Sequence, residues 1–232
     1  VNHDEWALSN TGFANAPDAG TFTTNIANWF TGDQPGVFHA YSTNFGLTES
    51  ALANALTDAG HTWTVGTDIT LDLPTLLTYD GLFLAGNPVD NSVLIDYVNA
   101  GGNVYLAGGT GRGGPINEAA RWNTFLNEFG FDFGAPYNLV KEVTPVNISH
   151  PIFQNVSGIY QDNGNPITDL DLSNPNNEVL LSHPTGGRIA VAVIEDAPPT
   201  PPVSVPEPMS VITLIGLATA MVGGVGLKKQ TD

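Results

Sequence analysis

The chain has 232 residues, of which 23 are acidic and 6 are basic, so its formal charge is -17 at pH 7. A surface this acidic repels phosphate backbones, which disfavours nucleic acid as a partner. The chain has no cysteine, which excludes disulfides, thiolate metal sites and cysteine nucleophiles together. Its 41% share of hydrophobic residues is enough for a folded core.

Strand and helix patterns alternate along the first 130 residues. The chain opens at Val1, which indicates a removed signal peptide or a fragment, and Val1-Asn2 suits the last residues of a first strand. Apolar residues at helical spacing predict a helix beginning with Phe22, another capped by Thr48, and two more. The predicted helices are 22–30, 48–59, 90–98 and 117–129, and the predicted strands are 36–42, 61–65, 81–85 and 104–107.

The runs at 81–85 and 104–107 are continuously apolar, as expected of strands covered on both faces. Strands alternating with helices predict an α/β domain, over residues 1–195, with a mostly parallel sheet and helices on both faces. After Gly130 helical periodicity disappears, and only a hairpin of 179–181 with 189–193 is predicted.

Three loops are expected at the carboxyl ends of the strands, where open parallel sheets bind ligands. They are 2–6, 86–88 and the glycine-rich 108–114, which lacks the lysine-serine/threonine ending of a phosphate loop. The candidate ligand-binding residues there are Asp4, Glu5, Asn87 and Arg112, and purely structural loops are the alternative.

Two groups of residues carry potential metal ligands. His3, Asp4 and Glu5 are adjacent, and adjacent residues rarely converge on one ion without distant partners. A second group offers hard ligands for calcium, but Leu180 stands where the closing glutamate of an EF-hand would be, so a polar solvated loop is favoured. That group is Asp162, Asn163, Asn165, Asp169 and Asp171. No metal and no cofactor is predicted.

The C-terminal segment has the composition of a spacer followed by a membrane anchor. Residues 196–208 are rich in proline, which gives an extended linker. Residues 209–227 carry no charge, and roughly 19 residues at ~1.5 Å each span about 28 Å, close to a bilayer core. Lys228 and Lys229 follow, so the positive-inside tendency predicts a transmembrane helix with residues 228–232 in the cytoplasm. A buried core helix is the alternative.

Val205-Pro206-Glu207-Pro208, an apolar span containing Gly216-Leu217, and the basic pair together resemble a PEP-CTERM sorting signal. The sorting residues are then Pro206, Glu207 and Pro208. The resemblance implies export in a Gram-negative bacterium and cleavage by an exosortase, a membrane protease. It also implies a membrane-anchored precursor and a mature domain in the cell envelope, at the surface or in the extracellular matrix.

The segments 79–86 and 101–109 resemble class I glutamine amidotransferase-like domains, which implies a flavodoxin-like layout. In catalytic members of that family, the strand matching 103–107 leads to a nucleophilic cysteine, and Gly108 stands there in this chain. The late motif keeps His183-Pro184, but Thr185 replaces the acid that would orient the histidine. No catalytic residue is therefore predicted.

The leading functional hypothesis is an exported, non-catalytic envelope or matrix protein. The alternative is a surface sugar-binding or carbohydrate-active module. Its partner would be an extracellular polysaccharide, held in the cleft at the carboxyl ends of the strands.

Overall fold

A computed structural model of the chain describes residues 1–193. Its α-helices are α1 (Asn10–Asn15), α2 (Ala19–Thr31), α3 (Phe45–Thr48), α4 (Ser50–Asp58), α5 (Leu73–Leu76), α6 (Asn91–Asn99) and α7 (Gly114–Glu128). Its strands are β1 (Val37–Tyr41), β2 (Thr62–Val65), β3 (Gly81–Ala85), β4 (Val104–Ala107), β5 (Phe131–Phe133), β6 (Lys141–Pro145), β7 (Gly158–Asp162), β8 (Ile167–Asp169), β9 (Asn177–His183) and β10 (Gly187–Val193). Two short 3-10 helices cover Glu5–Leu8 and Pro151–Phe153.

The N-terminal half forms a parallel sheet with the strand order β2-β1-β3-β4. All five residues of β3 are buried, because apolar side chains of helices cover both faces of the sheet. Phe22 of α2 and Leu52 of α4 pack on one face, and Leu94 of α6 and Trp122 of α7 pack on the other. The predicted α/β architecture, with helices on both faces, is confirmed for this half.

Residues Val1 and Asn2 connect the parallel sheet to a second, antiparallel one. The amide of Asn2 donates to the carbonyl of Leu106 in β4 at 2.8 Å, and Val1 exchanges two backbone hydrogen bonds with Val191 in β10. The second sheet has the order β5-β8-β10-β9, and β6 pairs with β7 in a separate ribbon. Val1-Asn2 therefore takes the predicted strand-like position.

The prediction of a mostly parallel sheet is wrong for the C-terminal half, in which every strand pair is antiparallel. Strands β5 to β8 are short and separated by proline, asparagine and glycine, so they leave no periodic pattern in the sequence. The hairpin near the end of the described residues is confirmed as β9 and β10, with its turn at 184–186.

The predicted cap at Thr48 is wrong, because the helix expected over 48–59 is divided at Glu49. Helix α3 ends at Thr48, and Glu49 adopts an extended conformation before α4 begins. The amide of Ala51 in the first turn of α4 donates to the side-chain oxygen of Asn10, and the amide of Asn10 donates to the carboxylate of Glu49. The N-termini of α1 and α4 thus supply hydrogen-bond acceptors for each other's backbone amides.

Helix α7 begins at Gly114, earlier than the predicted start at residue 117, and Pro115 occupies its first turn, where no amide donor is needed. No helix within residues 1–193 is both long and apolar enough to cross a membrane. The predicted linker (196–208), transmembrane helix (209–227) and basic tail (228–232) lie outside the described residues.

Candidate functional site

The loops that follow β1, β3 and β4 meet at the carboxyl edge of the parallel sheet. In the order β2-β1-β3-β4 the strand order reverses between β1 and β3, and open α/β sheets bind ligands at such a switch point. The side-chain oxygen of Asn87, after β3, accepts from the amide of Thr43, after β1, at 2.9 Å and from its hydroxyl at 3.1 Å. This edge is therefore the candidate functional site.

Arg112 reaches across this edge from the loop after β4. Its Nε donates to the side-chain oxygen of Asn44 and its Nη2 donates to the hydroxyl of Thr43. The path of the side chain runs close over Gly86, where an added Cβ would lie 2.9 Å from Cδ of Arg112. Gly86 also has a φ of 72°, a left-handed conformation that favours glycine. The absence of a side chain at Gly86 therefore leaves room for the arginine at this edge of the sheet.

Asn44 links Arg112 to the buried carboxyl group of Glu5. The Nδ2 group of Asn44 donates to Oε1 and Oε2 of Glu5 at 3.0 and 2.9 Å, while its oxygen accepts from the arginine. Glu5 is only 2% exposed, and it forms no direct ion pair with Arg112. The uncharged side chain of Asn44 thus connects the acidic Glu5 with the basic Arg112 through hydrogen bonds.

A second buried carboxylate holds the glycine-rich loop after β4. Glu118, at the start of α7, accepts from the amide of Thr110 at 3.0 Å, from its hydroxyl, and from the hydroxyl of Tyr137 at 2.8 Å. Burial and the nearby charge of Glu118 raise the pKa of Tyr137 above its usual range, so this phenol stays protonated and donates. The carboxylate of Glu118 therefore holds the glycine-rich loop in place.

The electrostatics of the site raise the pKa of Glu5. Burial raises the pKa of Glu5 to about 7, and the charge of Glu118 acts in the same direction. The hydrogen bonds from Asn44 and the charge of Arg112 oppose the shift, but they do not cancel the desolvation of the carboxylate. The site therefore contains a carboxyl group that gains or loses its proton near neutral pH.

Asp4 belongs to a different environment. Its carboxyl group accepts from the amide of Trp6 at 3.2 Å and from the amide of Asp162 in β7, and it is fully buried. Burial raises the pKa of Asp4 to about 8, against the opposing effect of these amides. Of the four predicted ligand-binding residues, the structure brings Glu5, Asn87 and Arg112 into one network and leaves Asp4 outside it.

Gly108 occupies the position that a nucleophile takes in the amidotransferase-like resemblance. A Cβ at this residue would lie 2.9 Å from the carbonyl oxygen of His3, 3.0 Å from the ring of Phe133 and 3.1 Å from the side-chain oxygen of Asn165. These distances are shorter than ordinary contacts, so a side chain at Gly108 would require the backbone of His3 or its other neighbours to shift.

His183, the other remnant of the resemblance, ends β9 and closes the hairpin turn. Its Nδ1 accepts from the amides of Thr185 and Gly186 at 3.2 and 3.1 Å, and its Nε2 lies 3.0 Å from Oε1 of Glu142. Both ring nitrogens therefore interact with neighbouring groups, and the histidine stabilises the hairpin turn.

Comparison with protein-family models, with curated proteins and with solved structures gives no match to this chain.

The oxygen-rich residues between 162 and 171 are used by the fold, so the prediction of a solvated loop is wrong for part of them. Asn165 is fully buried, accepts from the amide of Gly109 at 3.1 Å and donates to the carbonyl of Gly134 at 2.9 Å. Asp162 forms an ion pair with Lys141. Within residues 1–193, no three histidine, aspartate or glutamate side chains converge as metal ligands, and His3, Asp4 and Glu5 do not converge either.

Sequence reasoning missed Thr43, Asn44, Glu118 and Tyr137. The first two directly follow the strand predicted over 36–42, so the rule that selected the other loops would have selected them as well. Glu118 and Tyr137 carried no comparable signal, because their role depends on tertiary contacts. The predicted sorting residues Pro206, Glu207 and Pro208, and the flanking Lys228 and Lys229, lie outside the described residues.

Proposed function

We propose that this chain is an exported bacterial envelope or extracellular-matrix protein with a non-catalytic, flavodoxin-like domain and a C-terminal PEP-CTERM signal. The order of features after the domain supports the sorting assignment. A proline-rich spacer leads to Pro206-Glu207-Pro208, an uncharged stretch follows over 209–227, and Lys228 and Lys229 come next. In this proposal an exosortase-type membrane protease cleaves near the Pro-Glu-Pro motif and releases the acidic domain to the envelope, the surface or the matrix.

The observation that carries the non-catalytic assignment is the crowding at Gly108. Gly108 itself carries no nucleophile, and the contacts of a hypothetical Cβ with His3, Phe133 and Asn165 disfavour a side chain at the turn after β4. The hydrogen-bonding of His183 within its own turn supports the same conclusion, because a general base needs a free nitrogen within reach of a nucleophile.

The sorting proposal is tested by replacing Pro206, Glu207 and Pro208 with alanine in a host that has an exosortase. We expect an uncleaved form retained in the membrane fraction, detected by its larger mass on immunoblots. The matched control replaces Pro201 and Pro202, which belong to the same spacer, and is expected to be processed normally. Normal processing of the Pro206-Glu207-Pro208 variant would refute the assignment of the tail.

A second candidate function, a surface sugar-binding module, is favoured by the polar groups at the carboxyl edge of the parallel sheet. Thr43 is exposed, Asn87 and Arg112 are partly exposed, and Nη1 of Arg112 has no acceptor among residues 1–193. Sugar hydroxyls can accept hydrogen bonds from a guanidinium group, such as that of Arg112, and can form hydrogen bonds with a side-chain amide, such as that of Asn87.

Binding of the purified chain to a glycan array tests this candidate. The Arg112→Ala variant should lose the signal, and the matched Arg188→Ala variant, in β10, should keep it. If the native chain gives no signal, or if Arg112→Ala keeps it, the candidate is wrong.

A further inference from the structure

The carboxyl edge of the parallel sheet carries two arginines that form no ion pair. The basic residues in the part of the chain that the structure describes are Arg112, Arg121, Lys141 and Arg188. Arg112 and Arg121 both lie at this edge, and neither pairs with a carboxylate of residues 1–193, although the whole chain has 23 acidic residues. Two positive charges are therefore placed together without a direct counter-charge.

The two arginines meet at Gly86. Arg121 extends from α7, and its Nη1 donates to the carbonyl of Gly86 at 2.8 Å, while the side chain of Arg112 runs over the same glycine. Nη2 of Arg121 also donates to the main-chain carbonyl of Arg112 at 3.4 Å. Because these acceptors are uncharged, Arg121 fixes the loops after β3 and β4 and keeps its full charge beside Arg112.

Two hydrogen-bond donors at this edge are open to a ligand. Nε and Nη2 of Arg112 donate to Asn44 and Thr43, and Nη1 has no acceptor among residues 1–193. The side-chain oxygen of Asn87 accepts from the amide of Thr43, which can only donate, so Nδ2 of Asn87 points away from Thr43. This Nδ2 group likewise has no acceptor within the described residues.

The hydroxyl of Thr43 adds an acceptor between the two donors. It accepts from Nη2 of Arg112 at 2.5 Å and donates to the oxygen of Asn87 at 3.1 Å, which leaves one lone pair of an exposed residue unused. An acceptor on Thr43 and a donor on Asn87 thus lie side by side. A ligand hydroxyl satisfies both, because it has a proton to donate and lone pairs that accept.

The acidic residues behind the edge do not occupy these groups. Glu5 and Glu118 are buried, and their oxygens accept from neutral donors, which are Asn44 for Glu5 and Thr110 and Tyr137 for Glu118. The two acids lower the positive potential of the edge, but they leave Nη1 of Arg112 open. An external anion is the partner that this group lacks.

We propose that the carboxyl edge binds a glycan through the carboxylate of an acidic sugar. The carboxylate accepts from Nη1 of Arg112, and a hydroxyl of the same sugar accepts from Nδ2 of Asn87 and donates to Thr43. A hydrogen bond between a guanidinium group and a carboxylate is about twice as strong as a neutral one. The proposal rests on the second candidate function, the sugar-binding module, and names its class of ligand.

The net charge of the chain limits which acidic glycans bind. A formal charge of -17 repels a run of consecutive acidic sugars, as it repels a phosphate backbone. A single carboxylate experiences less of this repulsion, because salt screens charges that lie more than about 8 Å away at physiological ionic strength. The ligand is therefore a glycan that carries isolated acidic sugars.

The test titrates the full chain, labelled with 15N and kept in a non-ionic detergent, with methyl glucuronide or with its uncharged methyl ester. The side-chain Nε–H signals of the three arginines, Arg112, Arg121 and Arg188, report binding by NMR. We expect the Arg112 signal to shift with a Kd of about 1 mM for the glucuronide, since the ligand is small. The ester should bind at least roughly tenfold more weakly. Equal affinity for the two would overturn the role of the carboxylate.

The variant Asn87→Asp tests the arrangement with little change in shape. Its carboxylate still accepts from the amide and the hydroxyl of Thr43, but it loses the Nδ2 donor and places a negative charge at the site. We expect it to weaken binding of the glucuronide at least about tenfold. The matched control is Asn176→Asp, which adds the same charge at an exposed residue of the loop before β9 and should bind like the native chain. Native affinity in Asn87→Asp would overturn the proposal.

Two further outcomes separate this proposal from the sugar-binding candidate on which it rests. If acetate shifts the Arg112 signal with the same Kd as the glucuronide, the edge recognises any carboxylate and the proposed sugar contacts are wrong. If the glucuronide gives no shift while neutral glycans bind on the array, the acidic class is wrong and the sugar-binding candidate stands. If neither acidic nor neutral glycans bind, both are wrong.

Discussion

The side-chain amide of Asn44 donates to both carboxylate oxygens of Glu5, at 3.0 and 2.9 Å. The same side chain accepts from Arg112, so a single neutral residue connects the loop after β1 with a buried acid and a partly exposed base. Asn44 is therefore the residue through which Glu5 and Arg112 are connected at this edge of the sheet.

Replacing Asn44 with alanine should lower the free energy of unfolding by about 1–3 kcal/mol, because Glu5 stays buried while it loses its donor. Urea unfolding, followed by tryptophan fluorescence, measures the change. The matched control is Asn176→Ala, at an exposed asparagine, which should stay within about 0.5 kcal/mol of the native chain. An equal effect of the two substitutions would contradict the role of Asn44.

Asp4 should make stability depend on pH. Its pKa is about 8 in the folded chain and 3.8 in the reference state, so between these values the folded chain binds more protons than the unfolded chain. Stability from this group is therefore lost as the pH rises from about 4 to about 8. Asp4→Asn removes the effect, so the variant should gain on the native chain over this range, by up to about 1.4 kcal/mol per pH unit. Parallel pH profiles of unfolding free energy would be inconsistent with the burial of an ionisable Asp4.

Gly108→Ala should lower the free energy of unfolding by about 1–3 kcal/mol, because the new methyl group overlaps the carbonyl of His3 and the ring of Phe133. Thermal or urea unfolding measures the loss. In the control, Gly20→Ala within helix α2, the methyl group lies 3.7 Å from Phe13 of α1, which is an ordinary contact. Alanine is the better helix former, so this control should be neutral or stabilising. A neutral Gly108→Ala would remove the main argument against a nucleophile at this turn.

Glu118→Ala should release the glycine-rich loop, because Thr110 and Tyr137 lose their common acceptor. Limited trypsin digestion should then cleave after Arg112 several times faster than in the native chain, as measured by mass spectrometry of the fragments. Glu128→Ala, at the exposed end of the same helix, is the matched control and should leave the cleavage rate unchanged. Slow cleavage in both variants would show that the loop is held by other contacts.

The parts of the fold that could be predicted from the sequence are those in which one local pattern decides the structure. Strand β3 is covered on both faces, so its five residues are all apolar and its position was correct. The division at Glu49 could not be predicted, because the group that receives the amide of Ala51 is Asn10, which is remote in sequence. Strands β5 to β8 were missed for the same reason, since their pairing is non-local and their sequences are interrupted.

The candidate site shows the same limit. The rule that ligands bind at the carboxyl ends of parallel strands led correctly to Asn87 and Arg112. The rule also selected Asp4, because Asp4 lies in the same loop as Glu5. Adjacency in sequence does not show that the two side chains point in different directions. Asp4 instead binds the amide of Asp162, in a strand that the sequence did not reveal. Burial of both acids, and hence their raised pKa values, also depends on contacts that composition does not encode.

The pairing of Val1 with Val191 joins residues that are 190 positions apart. Such long-range closure is slow, because the entropy of a large loop must be overcome before any contact compensates for it. Strand β10 is the last of the described strands to be synthesised, so Val1 lacks its partner in a nascent chain until residues 187–193 have been made. Until then the two sheets are not joined through Val1, and aggregation competes with folding in such incompletely paired intermediates.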